Sequence, residues 1–423
     1  MTMSKSSFEN ARYLVNLSGI EIKKPMKILT VVTSMNPRAG GVVQAVKSFS
    51  TIYADNDIKE TIITTDVPNE DFVKANTNII ALGRFENVWG YSPNLKQWLI
   101  DNIANYDIVI LHGLWLYSNY AVWKALEKVK KNGNIKIPKL FAMPHGMLDP
   151  YFQKAKERRL KAIRNVLYWF FIEKNIINNC NKILFTCSEE LRLAENTFYG
   201  YKPKKTTNIN FGIDAPPVYE ERQKLAFQTI CPQIIGKKYI LYIGRIDSKK
   251  GVDLLIEAYG SIVEYLLRNN LHVPELVIAG PGKESDYGKQ LALQVRINEW
   301  MSDSVHFTGM LTGDSKWGAM YGCDAFILPS HQENFGIAIV EALACSKPVL
   351  ISNKINIHSE IALANAGIIN SDTIEGTANS LMTWISLTSQ IQNIMSQNAY
   401  KAYNQYFSLK NTEQAIIEIL GDA

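Results

Sequence analysis

The segment that most constrains the fold runs from His331 to Val349 and reads HQENFGIAIVEALACSKPV. Between Ile337 and Ala344 every residue is apolar except Glu341, so a helix there would be apolar on all sides. A helix of that kind is expected to be buried. A buried carboxylate needs a partner, because an unpaired charge away from water is very costly. We therefore predict a buried helix in which Glu341 is paired.

The start of this helix predicts an anion site. The helix begins at Gly336 and follows a strand, Ala325 to Leu328, so its first N–H groups and its positive dipole end would point into a cleft. Glu333 precedes the helix and Glu341 lies in its second turn. This pattern suits a nucleotide sugar, with phosphates on the helix end, ribose hydroxyls on Glu341 and sugar hydroxyls near Glu333. The alternative is a buried helix in which Glu341 only pairs with a core lysine.

Length and composition indicate a two-domain enzyme-like chain. With 423 residues, 47% hydrophobic and 20% charged, the chain is long enough for two domains of about 200 residues. The net charge of +5 fits an anionic substrate or a membrane surface and requires neither. The five cysteines are odd in number and form no CxxC pair, so we expect reduced core thiols rather than disulfides or zinc. Because no apolar run is long enough for a signal or a membrane span, we predict a cytoplasmic protein, with peripheral contact at the inner membrane face left open.

The first half alternates strands and helices. The first strand runs into Gly40 and Gly41 before a helix, which brings backbone N–H groups near a phosphate or hydroxyl; a simple tight turn is the alternative. His112 and His145 are each followed by glycine at the end of a strand, where open α/β sheets place ligands. The Asp55-Asn56-Asp57 triplet lies in a polar stretch and is interpreted as a loop, so no metal site is predicted.

The second half restarts with a buried strand, Tyr239 to Ile243, that leads into a loop with Arg245 and Lys250. Two fixed cations on one loop could clamp a diphosphate. Lys249 is interpreted as a solvated charge. Neither half carries GxGxxG after its first strand, which argues against a dehydrogenase.

Two sets of alternating strands and helices around a proline-marked linker predict an α/β protein with two Rossmann-like, doubly wound domains facing a central cleft. The predicted segments are a preamble at 1–24, a first Rossmann-like domain at 25–213, a linker at 214–236, a second Rossmann-like domain at 237–400 and a final helix at 401–423.

A basic and aromatic segment, 152–171, has two interpretations. Basic charge beside aromatic side chains can mark contact with an anionic membrane surface. The alternative is a long surface helix whose aromatic end enters the core.

Glu333-x7-Glu341, with NFG after the first Glu and EALA around the second, resembles the signature of retaining glycosyltransferase family 4, within the glycosyl transferases group 1. The GR…KG frame at Arg245 and Lys250, the early glycine pair and the Pro-His-Gly context of His145 are similar to the family pattern as well. The departure is Ser346, where the family usually has Gly. The resemblance implies the GT-B fold, with the acceptor on the first domain (25–213) and the nucleotide sugar on the second (237–400). It also implies that the final helix, 401–423, crosses back to the first domain.

It also implies retaining, metal-independent hexosyl transfer from a UDP- or GDP-type sugar to a saccharide or lipid-linked acceptor, in bacterial polysaccharide or glycan synthesis, without a cofactor. Two rivals remain, a nucleotide-sugar 2-epimerase of the same fold and a non-catalytic nucleotide-sugar-binding protein. No nucleic-acid partner is expected, and the oligomeric state is open. Carried over by motif, the catalytic residues are His145, Glu333, Arg245 and Lys250; the donor-binding residues are Gly40, Gly41, Arg245, Lys250, Met310, Glu333, Asn334, Phe335, Gly336, Ile337 and Glu341; and His112 lies on the acceptor side.

Overall fold

Two parallel β-sheets organise the chain. The structure is a computed structural model, which describes residues 13–15, 21–23, 25–37, 40–83, 89–133, 136–155 and 158–422. A short antiparallel pair, β1 and β2, precedes them. The strands before the domain junction are β1 Tyr13–Val15, β2 Glu21–Lys23, β3 Lys27–Val31, β4 Lys59–Thr64, β5 Ile79–Ala81, β6 Ile108–His112, β7 Lys139–Met143, β8 Lys182–Phe185 and β9 Thr206–Asn208. After it come β10 Tyr239–Ile243, β11 Glu275–Ala279, β12 Val305–Gly309, β13 Ala325–Leu328, β14 Val349–Ser352 and β15 Gly367–Asn370.

Helices cover the sheets in both halves. Those of the first half are α1 Gly41–Asp55, α2 Asp71–Lys74, α3 Pro93–Asn102, α4 Tyr117–Lys131, α5 Tyr151–Lys154, α6 Arg159–Tyr168, α7 Lys174–Asn179 and α8 Ser188–Ala194. Those that follow are α9 Glu221–Ile230, α10 Val252–Arg268, α11 Asp286–Ile297, α12 Gly313–Gly322, α13 Ile337–Ala344, α14 His358–Leu363, α15 Ile374–Ser386, α16 Ser389–Ala402 and α17 Leu409–Gly421.

The strand order gives each half a doubly wound topology. Within the described residues, the first sheet has the order β5-β4-β3-β6-β7-β8-β9 and the second the order β12-β11-β10-β13-β14-β15, with parallel neighbours throughout. Every residue of β6 and β11 is buried, as expected for strands covered by helices on both faces. The predicted α/β class with two Rossmann-like domains is confirmed. In each sheet the order of strand addition reverses at the first strand, so that later strands are added on its other side, from β6 beside β3 and from β13 beside β10. Such switch points are where open α/β sheets bind ligands.

The two halves are joined at the end of the chain. After β9 the chain reaches Ile213, which forms a β-bridge with Ser408. The backbone N–H of Gly212 donates to Thr412 Oγ1 at 2.7 Å, and Asn56 Nδ2 at the end of α1 donates to Glu413 Oε1 at 2.9 Å. Helix α17 therefore packs against the first domain and fixes the junction from the other side.

The stretch 214–236, interpreted from its prolines as a linker with turns, contains α9. Glu220 and Gln223 form a capping box at its start. Phe227 is buried, and α9 packs so closely on α12 that no side chain would fit at Gly318 opposite the Gln223 carbonyl. This part of the chain is thus an element of the second domain's surface.

Helix α13 shows the predicted burial. Ile339, Val340 and Leu343 are fully buried. At its end Ser346 has a φ of 60°, its N–H donates to Leu343 O, and the next N–H, of Lys347, donates to Ala342 O. These bonds form a Schellman motif, in which the left-handed position is normally glycine. Ser346 therefore holds a conformation that costs free energy for any residue with a Cβ.

Among the described residues, no helix combines the length and the apolar character needed to cross a bilayer.

Candidate active site between the two domains

The amino-terminal ends of α1 and α13 face each other across the junction of the two domains. Gly40 precedes α1 with a φ of 83°, and Gly336 precedes α13 with a φ of 75°. A Cβ placed on Gly41 would lie 3.7 Å from Ile337 Cδ1. The structure thus brings the predicted glycine pair and the predicted anion-binding helix into one place. Since the first N–H groups of a helix have no intrahelical acceptor, both ends can receive an anion or a hydroxyl.

His112 and His145 form a direct pair beside these helix ends. Their ring atoms, His112 Nδ1 and His145 Nε2, are 2.9 Å apart, and the rings stack with centroids separated by 5.2 Å. Burial lowers the pKa of His145 to about 3, and burial together with its neighbour lowers the pKa of His112 well below its usual value. Both imidazoles are therefore neutral at pH 7 and share one hydrogen bond. The sequence predicts the two histidines as separate site residues. The parallel pairing of β6 with β7 brings them together.

Glu190 holds the loop that carries His145. Its carboxylate accepts hydrogen bonds from Gly146 N at 2.5 Å, Thr186 N at 2.8 Å and Thr186 Oγ1 at 2.6 Å. His145 and Gly146 both have positive φ values, 53° and 80°, so the loop needs an outside restraint to keep this shape. Burial raises the pKa of Glu190, and its hydrogen bonds oppose that rise. Sequence analysis missed this residue, because it lies in an ordinary-looking helix, α8.

Asn334 is where the second domain contacts this loop. Its side chain donates to Thr186 Oγ1 at 3.0 Å and accepts from Asn356 Nδ2 at 3.1 Å. A Cβ on Gly146 would lie only 2.7 Å from the Asn334 Cβ, so only glycine allows this approach. A predicted donor residue therefore fixes the relative position of the two domains at the site.

Gln332 adds a second polar contact across the junction. Its Nε2 donates to Asp149 Oδ2 at 3.0 Å, and both side chains are buried. Phe335 is buried between aromatic rings of the first domain and of the carboxy-terminal segment, Phe211 at 4.8 Å and Phe407 at 6.1 Å between centroids. The segment before α13 is thus held on several sides.

Lys250 and Glu333, predicted to act on phosphate and sugar, form an ion pair in this structure. Both side chains are largely buried, with 17% of each exposed. Gly251, with a φ of 67°, lies against the Pro329 carbonyl, so the loop after β10 packs directly on the loop before α13. A ligand phosphate arriving at Lys250 would compete with Glu333 for the same ammonium group.

The other two charges of that loop differ from each other. Arg245 is exposed at the carboxyl end of β10, where its carbonyl accepts from the Tyr242 hydroxyl at 2.7 Å. The interpretation of Lys249 as a solvated charge is wrong. Its Nζ lies 5.1 Å from the centre of the Phe152 ring of the first domain, and burial lowers its pKa. Lys249 is therefore part of the contact between the domains.

Glu341 is paired with Lys316, with 2.5 Å between Oε1 and Nζ. Burial raises the pKa of Glu341, and Lys316 opposes that rise. Lys316 also lies 4.5 Å from the centre of the Trp317 ring. The pairing matches the structural alternative stated for Glu341 and leaves its ribose role as a prediction. Met310, between β12 and α12, is 65% exposed and open to a ligand.

A separate groove with a volume of about 560 Å³ runs between β12 and α11. Lys289, Arg296 and Phe307 are among its lining residues. None of the predicted site residues lines it, so it is distinct from the cleft described above. No group of three or more His, Cys, Asp or Glu side chains within the described ranges is arranged to hold a metal ion, and the expectation of metal-independent chemistry stays a prediction.

Comparison with known proteins identifies the second domain. Residues 232–402 match the family model described as Glycosyl transferases group 1. An uncharacterized glycosyltransferase of Methanocaldococcus jannaschii is 35% identical over 117 residues, which are 28% of this chain and 27% of that protein. The alignments with the first curated relatives, glycogen synthases of Mycobacterium tuberculosis included, span well under half of those proteins' lengths.

Solved structures match almost the whole fold. Sucrose-phosphate synthase from Thermosynechococcus elongatus superposes with a TM-score of 0.71 at 17% identity, covering 94% of this chain and 98% of that one. The Anabaena protein HepE in complex with UDP-glucose gives a TM-score of 0.68 at 18% identity, covering 94% of this chain and all of that one. The chain therefore carries a glycosyl transferases group 1 domain within a two-domain GT-B fold, as its resemblance to such glycosyltransferases predicted.

Proposed function

We propose that this protein is a retaining glycosyltransferase that moves a sugar from a nucleoside-diphosphate sugar to a saccharide or a lipid-linked saccharide. The observation that carries the proposal is the meeting of the α1 and α13 amino termini with the Lys250–Glu333 pair at one point between the domains. That point combines anion-binding helix ends with a cation and a carboxylate. The match of the second domain to the group 1 family supports the same reaction class.

The donor phosphates would bind at the start of α13 and at Lys250. As the bond from the anomeric carbon to the diphosphate breaks, negative charge develops on the departing oxygen, and fixed positive groups stabilise it most at that moment. Lys250 would exchange its ion pair with Glu333 for one with the phosphate. Arg245, exposed on the same loop, would close over the diphosphate from solvent. These protein cations are the basis for proposing that no metal ion is needed.

The exchange at Lys250 has a consequence for Glu333. Once its ammonium partner contacts phosphate, the carboxylate can accept hydrogen bonds from sugar hydroxyls, and such bonds to an ionised group are strong. The sugar would therefore be oriented only when the diphosphate is already in place. The negative charge on Glu333 would also stabilise the positive charge that develops at the anomeric carbon in the transition state.

His145 would orient the sugar as a neutral group. Its low pKa excludes an imidazolium at pH 7, so it acts as one donor or one acceptor whose direction is set by His112. We assign no protein nucleophile. Instead, the departing phosphate would accept the proton of the acceptor hydroxyl on the same face of the sugar, which retains the configuration of the anomeric carbon.

The nucleotide would lie along the second domain. Glu341 would accept hydrogen bonds from the ribose hydroxyls while it keeps its ion pair with Lys316. Met310 would contact the base. A UDP- or GDP-type donor is proposed, and UDP-glucose in the similarly folded HepE supports a uridine nucleotide as the first to test. Synthesis of a bacterial polysaccharide or glycan in the cytoplasm is the proposed setting.

Product analysis tests the reaction. The protein is incubated with UDP- and GDP-sugars and a panel of saccharide and lipid-linked acceptors, and nucleoside diphosphate and glycoside are measured, with NMR to assign the anomer. We expect acceptor-dependent release of diphosphate and a product with the donor's anomeric configuration. Release without an acceptor, together with an altered free sugar, would instead indicate a 2-epimerase. Binding without turnover across the panel would contradict the transferase proposal.

A further inference from the structure

A continuous helical segment on the first domain presents large apolar side chains to solvent. It comprises α6, a π-helical turn at Trp169–Glu173, and α7. Its exposed apolar residues, here called the outer face, are Leu160, Ile163, Val166, Leu167, Phe170 and Phe171. Leu160 is 84% and Phe171 is 74% exposed. Spacings of three and four residues place the members in α6 on one side of the helix.

The opposite side of the segment is the one that packs on the protein. Ala162, Asn165 and Tyr168 are buried, and so is Trp169, whose ring stacks on Phe198 at 4.9 Å. An ordinary surface helix buries its large aliphatic residues and exposes polar ones. In α6 the large aliphatic side chains are exposed instead. Scattered exposed apolar residues need no explanation, but a contiguous apolar patch marks an interaction site.

Positive charge borders the outer face. Arg159 and Lys161 are exposed beside it, and Arg164 and Lys174 are half-buried along its edges. Between Arg159 and Lys174 the only acidic residue is Glu173, which is fully buried. An apolar face with a basic border and no exposed acid is the pattern of helices that lie in the interface of an anionic bilayer. A protein partner would need a patterned set of acidic groups to match the same border.

The inner side of the same segment contacts the loop that follows His112. The Tyr168 hydroxyl donates to Leu116 O at 3.2 Å, and the backbone N–H of Trp115 donates to Glu173 Oε2 at 3.3 Å. Asn119 Nδ2 also donates to Glu173, at 2.9 Å from Oε1. One element therefore carries the outer face on one side and supports the predicted acceptor side of the cleft on the other.

We propose that the outer face docks on the surface of an anionic phospholipid bilayer, with Arg159 and Lys161 on lipid head groups and the apolar side chains between them. This rests on the proposed function in one respect: docking there would present the acceptor side of the cleft to a lipid-linked saccharide. The docking itself involves no residue of the donor site.

Vesicle flotation tests the docking with the full chain. Each protein is mixed either with vesicles of phosphatidylcholine alone or with vesicles that also contain 30% phosphatidylglycerol. The proteins are wild type, the apolar variant Phe170→Ser/Phe171→Ser and the basic variant Arg159→Gln/Lys161→Gln. Matched controls are Ile297→Ser/Leu363→Ser, whose side chains are 73% and 76% exposed on the second domain, and Arg296→Gln/Lys289→Gln. Size-exclusion chromatography records the oligomeric state of each protein.

Wild type should float with the anionic vesicles and not with neutral ones. A basic residue near such a surface contributes about fivefold in partitioning, so the basic variant should bind about 25-fold more weakly, while both controls bind like wild type. Wild type that stays in solution, or outer-face variants that match their controls, would overturn the proposal. A dimer that the apolar variant dissociates, without vesicle binding, would assign the face to a second copy instead.

Nucleotide-sugar binding by the same variants separates the two proposals. The outer-face variants should bind the donor like wild type, because their side chains lie outside the cleft. Failure of the donor site with intact flotation would overturn the proposed function alone, and lost flotation with intact donor binding would bear on the docking alone.

Discussion

Replacement of Glu190 by glutamine tests whether the loop that carries His145 depends on one buried carboxylate. Its Oε1 accepts from Gly146 N and its Oε2 accepts from both Thr186 N and Thr186 Oγ1. Glutamine keeps the size of the side chain but exchanges one acceptor oxygen for an NH2 group. Whichever way the amide turns, at least one backbone N–H then faces another donor.

The size of the effect follows from those bonds. A buried donor left without an acceptor costs about 1–3 kcal/mol. Burial raises the pKa of Glu190, so the charged form is itself disfavoured and glutamine recovers part of that cost. We expect Glu190→Gln to lower the free energy of unfolding by about 1–2 kcal/mol. With His145 less well held, kcat should fall more than KM changes.

Glu189→Gln is the matched control, because Glu189 lies one residue away and pairs with the exposed Arg192 at 2.5 Å. An exposed pair of this kind contributes little to stability, because water and salt screen it. Urea unfolding and steady-state kinetics are measured for both variants. Equal unfolding midpoints for Glu190→Gln and Glu189→Gln, with kcat unchanged, would refute the positioning role.

Three further predictions concern backbone strain and buried charge. Ser346→Gly should raise the free energy of unfolding by about 1 kcal/mol in urea titrations, because glycine tolerates the left-handed end of α13, whereas Ser346→Ala should give no gain. Gly146→Ala should lower the free energy of unfolding clearly more than Gly236→Ala. The two glycines have similar φ values, 80° and 74°, but only at Gly146 would an added Cβ lie 2.7 Å from Asn334. Equal losses of unfolding free energy would contradict that contact. Burial raises the pKa of Glu173 to about 7 from a usual 4.5, so protons bind the folded state more tightly and stability falls as pH rises through this range. Between pH 5.5 and 8 wild type should lose about 2 kcal/mol of unfolding free energy relative to Glu173→Gln, and parallel pH profiles would contradict the raised pKa.

The fold could be predicted because strand and helix patterns are local. A buried α/β architecture is predicted by the apolar run of α13 and by the strands that precede the glycine turns. Neither pattern depends on any distant residue. The stretch 214–236 shows the limit of this reasoning. Its prolines predict a linker, whereas the capping box of α9 uses Glu220, which is not one of the residues by which a helix start is recognised in a sequence.

The candidate site was predictable only in part, since its contacts join residues far apart in the chain. A partner for Glu341 was expected, but Lys316 could not be chosen as that partner, because the pairing depends on how α12 packs on α13. The histidine pair depends on the adjacency of β6 and β7, which spacing alone does not reveal. The sequence predicts a solvated charge at Lys249, because nothing in its own loop shows Phe152 approaching from the other domain.

The central claim is that the cleft beside α13 binds a nucleotide sugar through Glu341, and a thermal-shift titration tests it most directly. UDP-, GDP- and ADP-sugars are titrated against wild type, Glu341→Gln and the exposed control Glu418→Gln. A ligand at 100 times its Kd stabilises the folded state by about 2.7 kcal/mol. We predict that one nucleotide series raises the melting midpoint of wild type and of Glu418→Gln but not of Glu341→Gln. No shift with any series at millimolar concentration, or an equal shift in all three proteins, would contradict the assignment of Glu341 to the donor and leave it as the core partner of Lys316.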